Sequence, residues 1–411
     1  MNVILHSDLN NFYASCEMIR HPELRDKHLA VCGSIEDRHG VVLAKNYKAK
    51  ALGIKTGMNL KDAYDLCPDL VCVEADFDFY LFYSKRVREI YYKFTDLIEP
   101  FGIDEAWLDV THSKIFGTGE EIADKIRAEI KILGLTASVG VSFNKVFAKL
   151  GSDLKKPDAT TVISYDNFKD VVWKLDCSDL LMVGRKTAQK LKKYNINTIG
   201  DIANADVGFL TRQLGVWGKY LYDFAWGKNG AAVRKFDEEQ EVKSIGNSMT
   251  SYRDMCTLDD ARVMFLVLCD SVSARVIDAK VGAATTLSIS VRNENLSWFT
   301  RQVKLKKPTV LAEDFYSAAV DLFVKNYDFK LNVRSLGVTV SGFTTGGEQL
   351  TVFDDAEDYE KRVKLAGTVS DIRKKFGSAS VMKARNLTDR RITREDPKNT
   401  HVVHPEGFKK K

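Results

Sequence analysis

The sequence predicts an α+β protein of several domains built on two ferredoxin-like sheets, and three observations lead there. At 411 residues the chain is longer than one compact core usually holds. Two stretches, 1–18 with 76–165 and then 244–345, read as strands alternating with amphipathic helices. Ahead of the second stretch, Arg234 to Lys243 (RKFDEEQEVK) is charged and has no apolar period, which is the pattern of a linker. Hydrophobic residues at 45% and charged residues at 28% fit a chain that folds in water, and exclude disordered, collagen-like and membrane-embedded classes.

Val3-Ile4-Leu5 is a short apolar strand that runs into Asp8, so a carboxylate stands at a strand's end. From Pro22 to about Val73, Gly33, Gly40, Gly53, Gly57 and Pro68 punctuate short elements, as in an inserted subdomain. Phe79 to Phe94 reads as an aromatic helix and Ala106 to Val110 as a strand. Ile122, Ile126, Ile130 and Leu133 then recur at three- and four-residue spacing as one apolar stripe, before an alternating strand from Thr136 to Ser142. Residues 164–229 are helical, with 180–187 (LLMVGRKT) a tight hairpin between two helices. Past the linker come a strand, a helix (Leu258 to Ala279), a strand pair (Thr285 to Val291, Trp298 to Lys304), a helix (Leu311 to Asn326) and a strand (Arg334 to Val340), a β-α-β-β-α-β unit. The polar tail holds a helix from Tyr359 to Phe376 and ends on three lysines.

No run reaches about 18 apolar residues, and the first residues lack the basic and apolar regions of an export signal. Seven cysteines without a C-x-x-C pair read as reduced, mostly buried thiols, so a cytoplasmic location with no membrane partner is expected. The net charge of +5 is too small to prove a polyanionic partner, which leaves that argument to local clusters.

The strongest local signal is Asp104-Glu105, between Phe101-Gly102-Ile103 and Ala106-Trp107-Leu108. Adjacent acids at the mouth of a buried strand repel each other and resist dehydration, so they need a cation or a solvated turn. With Asp8 at another strand's end, three carboxylates could converge on a pair of Mg²⁺ ions, which take hard oxygen ligands and substrate phosphates.

Asp8-Leu9-Asn10-Asn11-Phe12-Tyr13 and Gly102-Ile103-Asp104-Glu105-Ala106-Trp107-Leu108-Asp109 together resemble the two catalytic motifs of the Y-family DNA polymerases, the lesion-bypass enzymes. Residues 41–55 (VVLAKNYKAKALGIK) look like the family's finger segment, and 138–157 (SVGVSFNKVFAKLGSDLKKP) are similar to its other palm motif. The resemblance implies a right hand: palm at 1–18 and 76–165, small fingers at 19–75, helical thumb with a helix-hairpin-helix at 166–233, linker at 234–243, little finger at 244–345, and a tail at 346–411. It implies template-directed translesion synthesis by a monomer in the SOS response to DNA damage, with low fidelity and low processivity. Primer-template DNA, dNTP and the sliding clamp would be its partners, and two Mg²⁺ ions its cofactor.

Asp8, Asp104 and Glu105 would then be the catalytic, metal-binding acids, with the backbone carbonyl of Leu9 as a further ligand. Tyr13 would be the steric gate under the sugar, while Phe12 packs in the core. Tyr47, Lys50 and Lys156 would contact the triphosphate, since a polyanion needs cations and hydroxyl donors from several elements. Gly184, Arg185, Lys186 and Thr187 would hold duplex phosphates without reading sequence, and Arg301 and Lys304 would line the DNA. Gln349-Leu350-Thr351-Val352-Phe353 resembles the pentapeptide that docks polymerases on the clamp, with Gln349, Leu350, Val352 and Phe353 as its anchors.

Three positions depart from the common pattern. Asn10 stands where many members carry Asp, Lys50 where many carry Arg, and Gly102 where Ser is common. At the first two the chain looks more like the catalytic subunit of bacterial DNA polymerase V and its Gram-positive relatives. Lys50 keeps a cation but loses the guanidinium fork. Two rival readings are a nucleotidyl cyclase, which also uses strand-end acids on such a sheet, and a catalytically weak DNA-binding accessory protein.

Overall fold

A computed structural model describes residues 2–33, 40–228, 230–235, 238, 241–344, 356–377, 380–389 and 391. The chain divides after Glu238 into two compact units. In the first, β1 (Ile4–Leu9) opens a five-stranded sheet. The chain then leaves to form a small sheet from β2 (Leu29–Cys32), β3 (Val42–Lys45) and β4 (Val71–Glu74), in the order β3-β2-β4. It returns with β5 (Ile98–Pro100), β6 (Glu105–Asp109), β7 (Ala137–Ser142) and β8 (Thr160–Ile163), and the large sheet runs β5-β6-β1-β7-β8. β5 and β8 were not anticipated, because three- and four-residue edge strands carry too few residues for a period of two to show.

β1 lies in the middle of that sheet, antiparallel to both β6 and β7. Helices Phe77–Tyr91 and Gly119–Ile132 pack into its core, and the stripe Ile122, Ile126 and Ile130 is fully buried as its spacing requires. Helix Lys145–Leu154 rests directly on the strands: a Cβ on Gly140 of β7 would stand 1.9 Å from the carbonyl oxygen of Ala148. Only glycine permits that approach.

The opposite side of this helix, with Phe147 and Leu150, seeds a helical core completed by Phe168–Val172, Arg185–Lys192, Ile199–Asn204, Val207–Leu214 and Val216–Ala225. A single 3₁₀ turn, Cys177–Asp179, precedes the hairpin instead of the expected α-helix. Met182, at φ 72°, and a bond from Val183 N–H to the Leu180 carbonyl make the tight turn.

In the second unit β9 (Ser244–Met255), β10 (Ala283–Asn293), β11 (Trp298–Thr309) and β12 (Val333–Thr344) form an antiparallel sheet ordered β11-β10-β12-β9. Helices Leu258–Ala279 and Ala312–Asn326 share its apolar core, and helix Ala356–Phe376 packs on the first of them. Arg373 and Lys383 both pair with Asp270 there, and Lys374 pairs with Asp278. The strands largely alternate, with register shifts between Ala284 and Thr286, between Arg292 and Asn293 and between Val333 and Ser335, so the face away from the core is mostly polar. Register aligns Thr250, Ser335, Arg292 and Trp298 in one row, and Ser244, Ser341, Thr286 and Lys304 in another. All seven cysteines are free, and among the described residues no helix is long and apolar enough to cross a membrane.

Candidate active site

The three acids singled out in the sequence meet at one end of the large sheet. Asp8 is paired in register with Glu105 across β1 and β6, and Asp104 immediately precedes Glu105 in the turn between β5 and β6. That turn is closed by Phe101 and Gly102 N–H groups donating to the Glu105 carbonyl, and Leu9 N–H donates to the Asp104 carbonyl at 2.9 Å. Gly102 has a reason here. A Cβ at that position would lie 3.0 Å from Asp104 Oδ1 and 3.3 Å from Glu105 Cγ, so the missing side chain leaves room for the acids.

Two ammonium groups sit among these carboxylates. Lys149 Nζ lies 2.6 Å from Glu105 Oε2, 3.3 Å from Asp8 Oδ2 and 3.5 Å from Asp153 Oδ2. Lys156 Nζ lies 2.9 Å from both Asp8 Oδ1 and Asp153 Oδ1. Burial disfavours both ammonium groups, yet the surrounding carboxylates hold each above its ordinary pKa, with Glu105 foremost for Lys149 and Asp8 for Lys156. Neutralisation is incomplete. Burial, then the charges of Glu105 and Asp8, push the Asp104 carboxyl up to about 6. Sequence reasoning found Lys156 and missed Lys149, which reads in the sequence as an ordinary helix lysine four residues before an aspartate.

Asn10 is a buried brace. Its Oδ1 accepts from Asp158 N–H at 2.8 Å, and its Nδ2 donates to Ser138 Oγ at 3.0 Å, which ties the Lys156-Pro157-Asp158 loop to the end of β1. Behind the acids, fully buried His6 shares a 2.8 Å bond between Nδ1 and Ser152 Oγ and brings Nε2 to 3.5 Å from Glu105 Oε2. Burial and the two lysines hold its pKa well below the usual value, so the ring is neutral.

Phe12 is core, 2% exposed, whereas Tyr13 is half-buried and stacked on Tyr80 with centroids 4.6 Å apart and planes at 10°. Phe77 meets the Tyr13 ring edge-on at 5.9 Å. Burial and then Asp104 push the Tyr13 hydroxyl up to about 12, which places the phenol within the field of the acids. Tyr47 is raised by burial and feels both Lys156 and Asp8, so the small sheet's helix Tyr47–Ala51 reaches the same cleft. Lys50 Nζ lies 5.5 Å from the Tyr47 ring centroid, and the pKa of Lys45 is depressed by burial and by the charge of Lys50. Asn46 caps this helix by accepting from Ala49 N–H at 3.0 Å. Lys45 and Asn46 had no individual signal in the sequence.

Gly184 caps helix Arg185–Lys192 with no atom within 4 Å of where its Cβ would stand, and Arg185 and Lys186 are exposed. Arg301 and Lys304 lie on opposite faces of the second unit's sheet. Arg301 stacks over Phe299 at 5.2 Å on the face toward the core, and Lys304 lies with Trp298 on the polar face. An offset of three residues along a strand exchanges faces. Gln349, Leu350, Val352 and Phe353 lie outside the described residues.

Two family models match the chain: impB/mucB/samB family over residues 7–153, and impB/mucB/samB family C-terminal domain over 242–352. The chain is 46% identical to DNA polymerase IV of Acetivibrio thermocellus, over 95% of its own length and 99% of that relative's. It is 36% identical to DNA polymerase IV of Bacillus velezensis, over 93% and 92%. The chain belongs to the Y-family DNA polymerases. A solved Y-family DNA polymerase chimera, Dbh-Dpo4-Dbh, superposes with a TM-score of 0.72 at 27% identity, covering 84% of this polymerase and 100% of that chain. The insertion ternary complex of Dbh DNA polymerase matches with a TM-score of 0.58 at 26% identity, covering 84% and 100%. Asn10 and Lys50 thus belong to a polymerase whose likeness along its length is to proteins named DNA polymerase IV.

A raised carboxyl pKa costs stability with a definite sign. The folded polymerase holds the Asp104 proton more tightly (pKa about 6) than the unfolded chain does (about 3.8), so the penalty is absent below about pH 4 and complete above about pH 6. In urea unfolding of the metal-free polymerase, Asp104→Asn should add about 2–3 kcal/mol near pH 7 and nothing near pH 4. An equal gain at both would show that Asp104 is not crowded.

Proposed function

We propose that Asp8, Asp104 and Glu105, with the Leu9 carbonyl, hold two Mg²⁺ ions at which a dNTP is joined to a primer 3′-hydroxyl. Y-family polymerases are nucleotidyltransferases that generally use divalent metals, and this chain is a DNA-directed DNA polymerase of the translesion class, which replaces the cyclase and accessory readings. The observation that carries the assignment is the register pair Asp8–Glu105 with Asp104 beside it: an all-oxygen donor set, under-neutralised even with two lysines among it. Such a set fits a hard divalent cation. When bound, such ions supply activation of the 3′-hydroxyl and neutralisation of the leaving pyrophosphate.

The chain's own residues position the reactants. Lys156, held at Asp8 on the loop that Asn10 braces, would meet the triphosphate with Tyr47 and Lys50 arriving from the small sheet. Tyr13, pinned by Tyr80 and Phe77, is a rigid wall against which a ribose 2′-hydroxyl would collide. In this reading the large sheet is the palm (1–18 and 76–165), the small sheet the fingers (19–75), and the helical residues 166–233 the thumb. Gly184, Arg185, Lys186 and Thr187 would hold duplex phosphates. Residues 234–243 link to a little finger (244–345), in which Arg301 and Lys304, with Arg292 on the hydroxyl-rich sheet face beside Lys304, would lie along the DNA backbone. The tail would reach the sliding clamp through Gln349, Leu350, Val352 and Phe353, and the enzyme would work as a monomer in the cytoplasm.

Primer extension on undamaged and abasic templates with Mg²⁺ tests this. Asp8→Ala and Glu105→Ala should each lower nucleotide addition at least roughly a hundredfold, with primer-template affinity retained. Parallel loss of both activities would mean that these acids serve folding. Tyr13→Ala should raise incorporation of rNTP relative to dNTP by roughly 10–200-fold, measured as a ratio of kcat/KM values. An unchanged ratio would remove Tyr13 from the gate.

A further inference from the structure

Apart from the catalytic acids, one cluster of metal-ligating atoms stands in the small sheet. His28 enters β2, Cys67 ends helix Leu60–Leu66, and Asp69 lies in the turn that leads to β4. Backbone bonds fix His28 and Cys67. Val71 N–H donates to the His28 carbonyl at 2.8 Å, Leu70 N–H donates to the Cys67 carbonyl at 3.0 Å, and Cys67 N–H donates to the Ala63 carbonyl at 3.0 Å. Their side chains converge on one carboxylate: His28 Nδ1 is 3.0 Å from Asp69 Oδ2, and Cys67 Sγ is 3.1 Å from Asp69 Oδ1. The three ligand atoms all lie within 4.8 Å of one another.

We propose that His28, Cys67 and Asp69 bind a zinc ion, with the fourth coordination position open to water. Zinc takes nitrogen and oxygen at about 2.0 Å and thiolate sulfur at about 2.3 Å, so tetrahedral ligand atoms stand about 3.3–3.5 Å apart, against ligand atoms that now lie within 4.8 Å of one another. Charge also matches: a thiolate and a carboxylate neutralise the divalent ion, and the imidazole binds neutral. The mixed nitrogen, sulfur and oxygen set selects zinc over the hard cations that the all-carboxylate site takes. Access is open through Asp69, which is 75% exposed, while Cys67 is anchored in the core beside Ala63 and Leu70. Without metal, burial and Asp69 keep the thiol protonated, with a pKa pushed up to about 11, so binding must release that proton. The ion would close the chain between residues 28 and 67, the segment that carries Tyr47 and Lys50, and so stiffen the lobe that presents them.

The reduced full-length chain, titrated with Co²⁺ in excess Mg²⁺, should develop a thiolate-to-cobalt charge-transfer band that saturates at one cobalt per chain and is bleached by Zn²⁺. The carboxylate site has no sulfur and adds nothing to that band. Cys67→Ser, which keeps a hydrogen-bond donor toward Asp69, and His28→Gln should each lose the band. Zn²⁺ should raise the unfolding midpoint of the parent and leave both variants unmoved. Absence of the band in the parent overturns the proposal, as does a band that persists in Cys67→Ser, which would assign it to another thiol such as Cys72 or Cys256.

Discussion

Mutual repulsion among Asp8, Asp104 and Glu105 is the constraint around which the first unit is organised. β1 and β6 force two of these carboxylates into register and the third beside them, in a cleft where each is largely buried. Like charges about 4 Å apart cost about 4 kcal/mol at an effective dielectric of 20, too much to leave uncompensated in a domain of ordinary stability. Lys149 and Lys156 offset most of it. Burial first, and then the charges of Glu105 and Asp8 that the lysines leave uncompensated, keep the Asp104 pKa raised, and an anionic cleft of this kind is receptive to further cations.

The surrounding architecture follows from delivering those lysines. Lys149 reaches Asp8 and Glu105 only because its helix sits on the strands at a distance that Gly140 alone allows. Lys156 comes on a loop whose backbone is tied to β1 through the Asn10 amide. An aspartate at position 10 could accept the same bond from Asp158 N–H but would add a further negative charge beside Asp8, Asp104, Glu105 and Asp153. The second unit solves a different problem. The face of its sheet away from the core is rich in serine and threonine, with Arg292, Trp298 and Lys304 toward β11, a surface that offers hydroxyl and cationic donors.

Much of this was legible in the sequence, and the misses share causes. The acids announced themselves because adjacent carboxylates at the mouth of an apolar strand have few bland explanations. The second unit was legible because long strands show their alternation and helix Leu258–Ala279 its uninterrupted run. β5 and β8 were too short to show a period. Lys149 was hidden because its partner Asp8 is 141 residues away, and only the packing of the helix on β1 brings them together. His6 looked like one more residue of an apolar strand, and its position behind Glu105 is a product of the β1–β6 register.

The central claim, that Lys149 exists to hold the carboxylates together, is tested most directly by a double-mutant cycle on the metal-free chain. Unfolding free energies would be measured near neutral pH for the parent, Lys149→Met, Glu105→Gln and the double variant. Lys149→Met alone should destabilise strongly, because it leaves Glu105 and Asp8 buried and repelling. Adding Glu105→Gln should restore much of that loss, giving a coupling of roughly 1–3 kcal/mol. Additive effects, with no coupling between positions 149 and 105, would contradict the account.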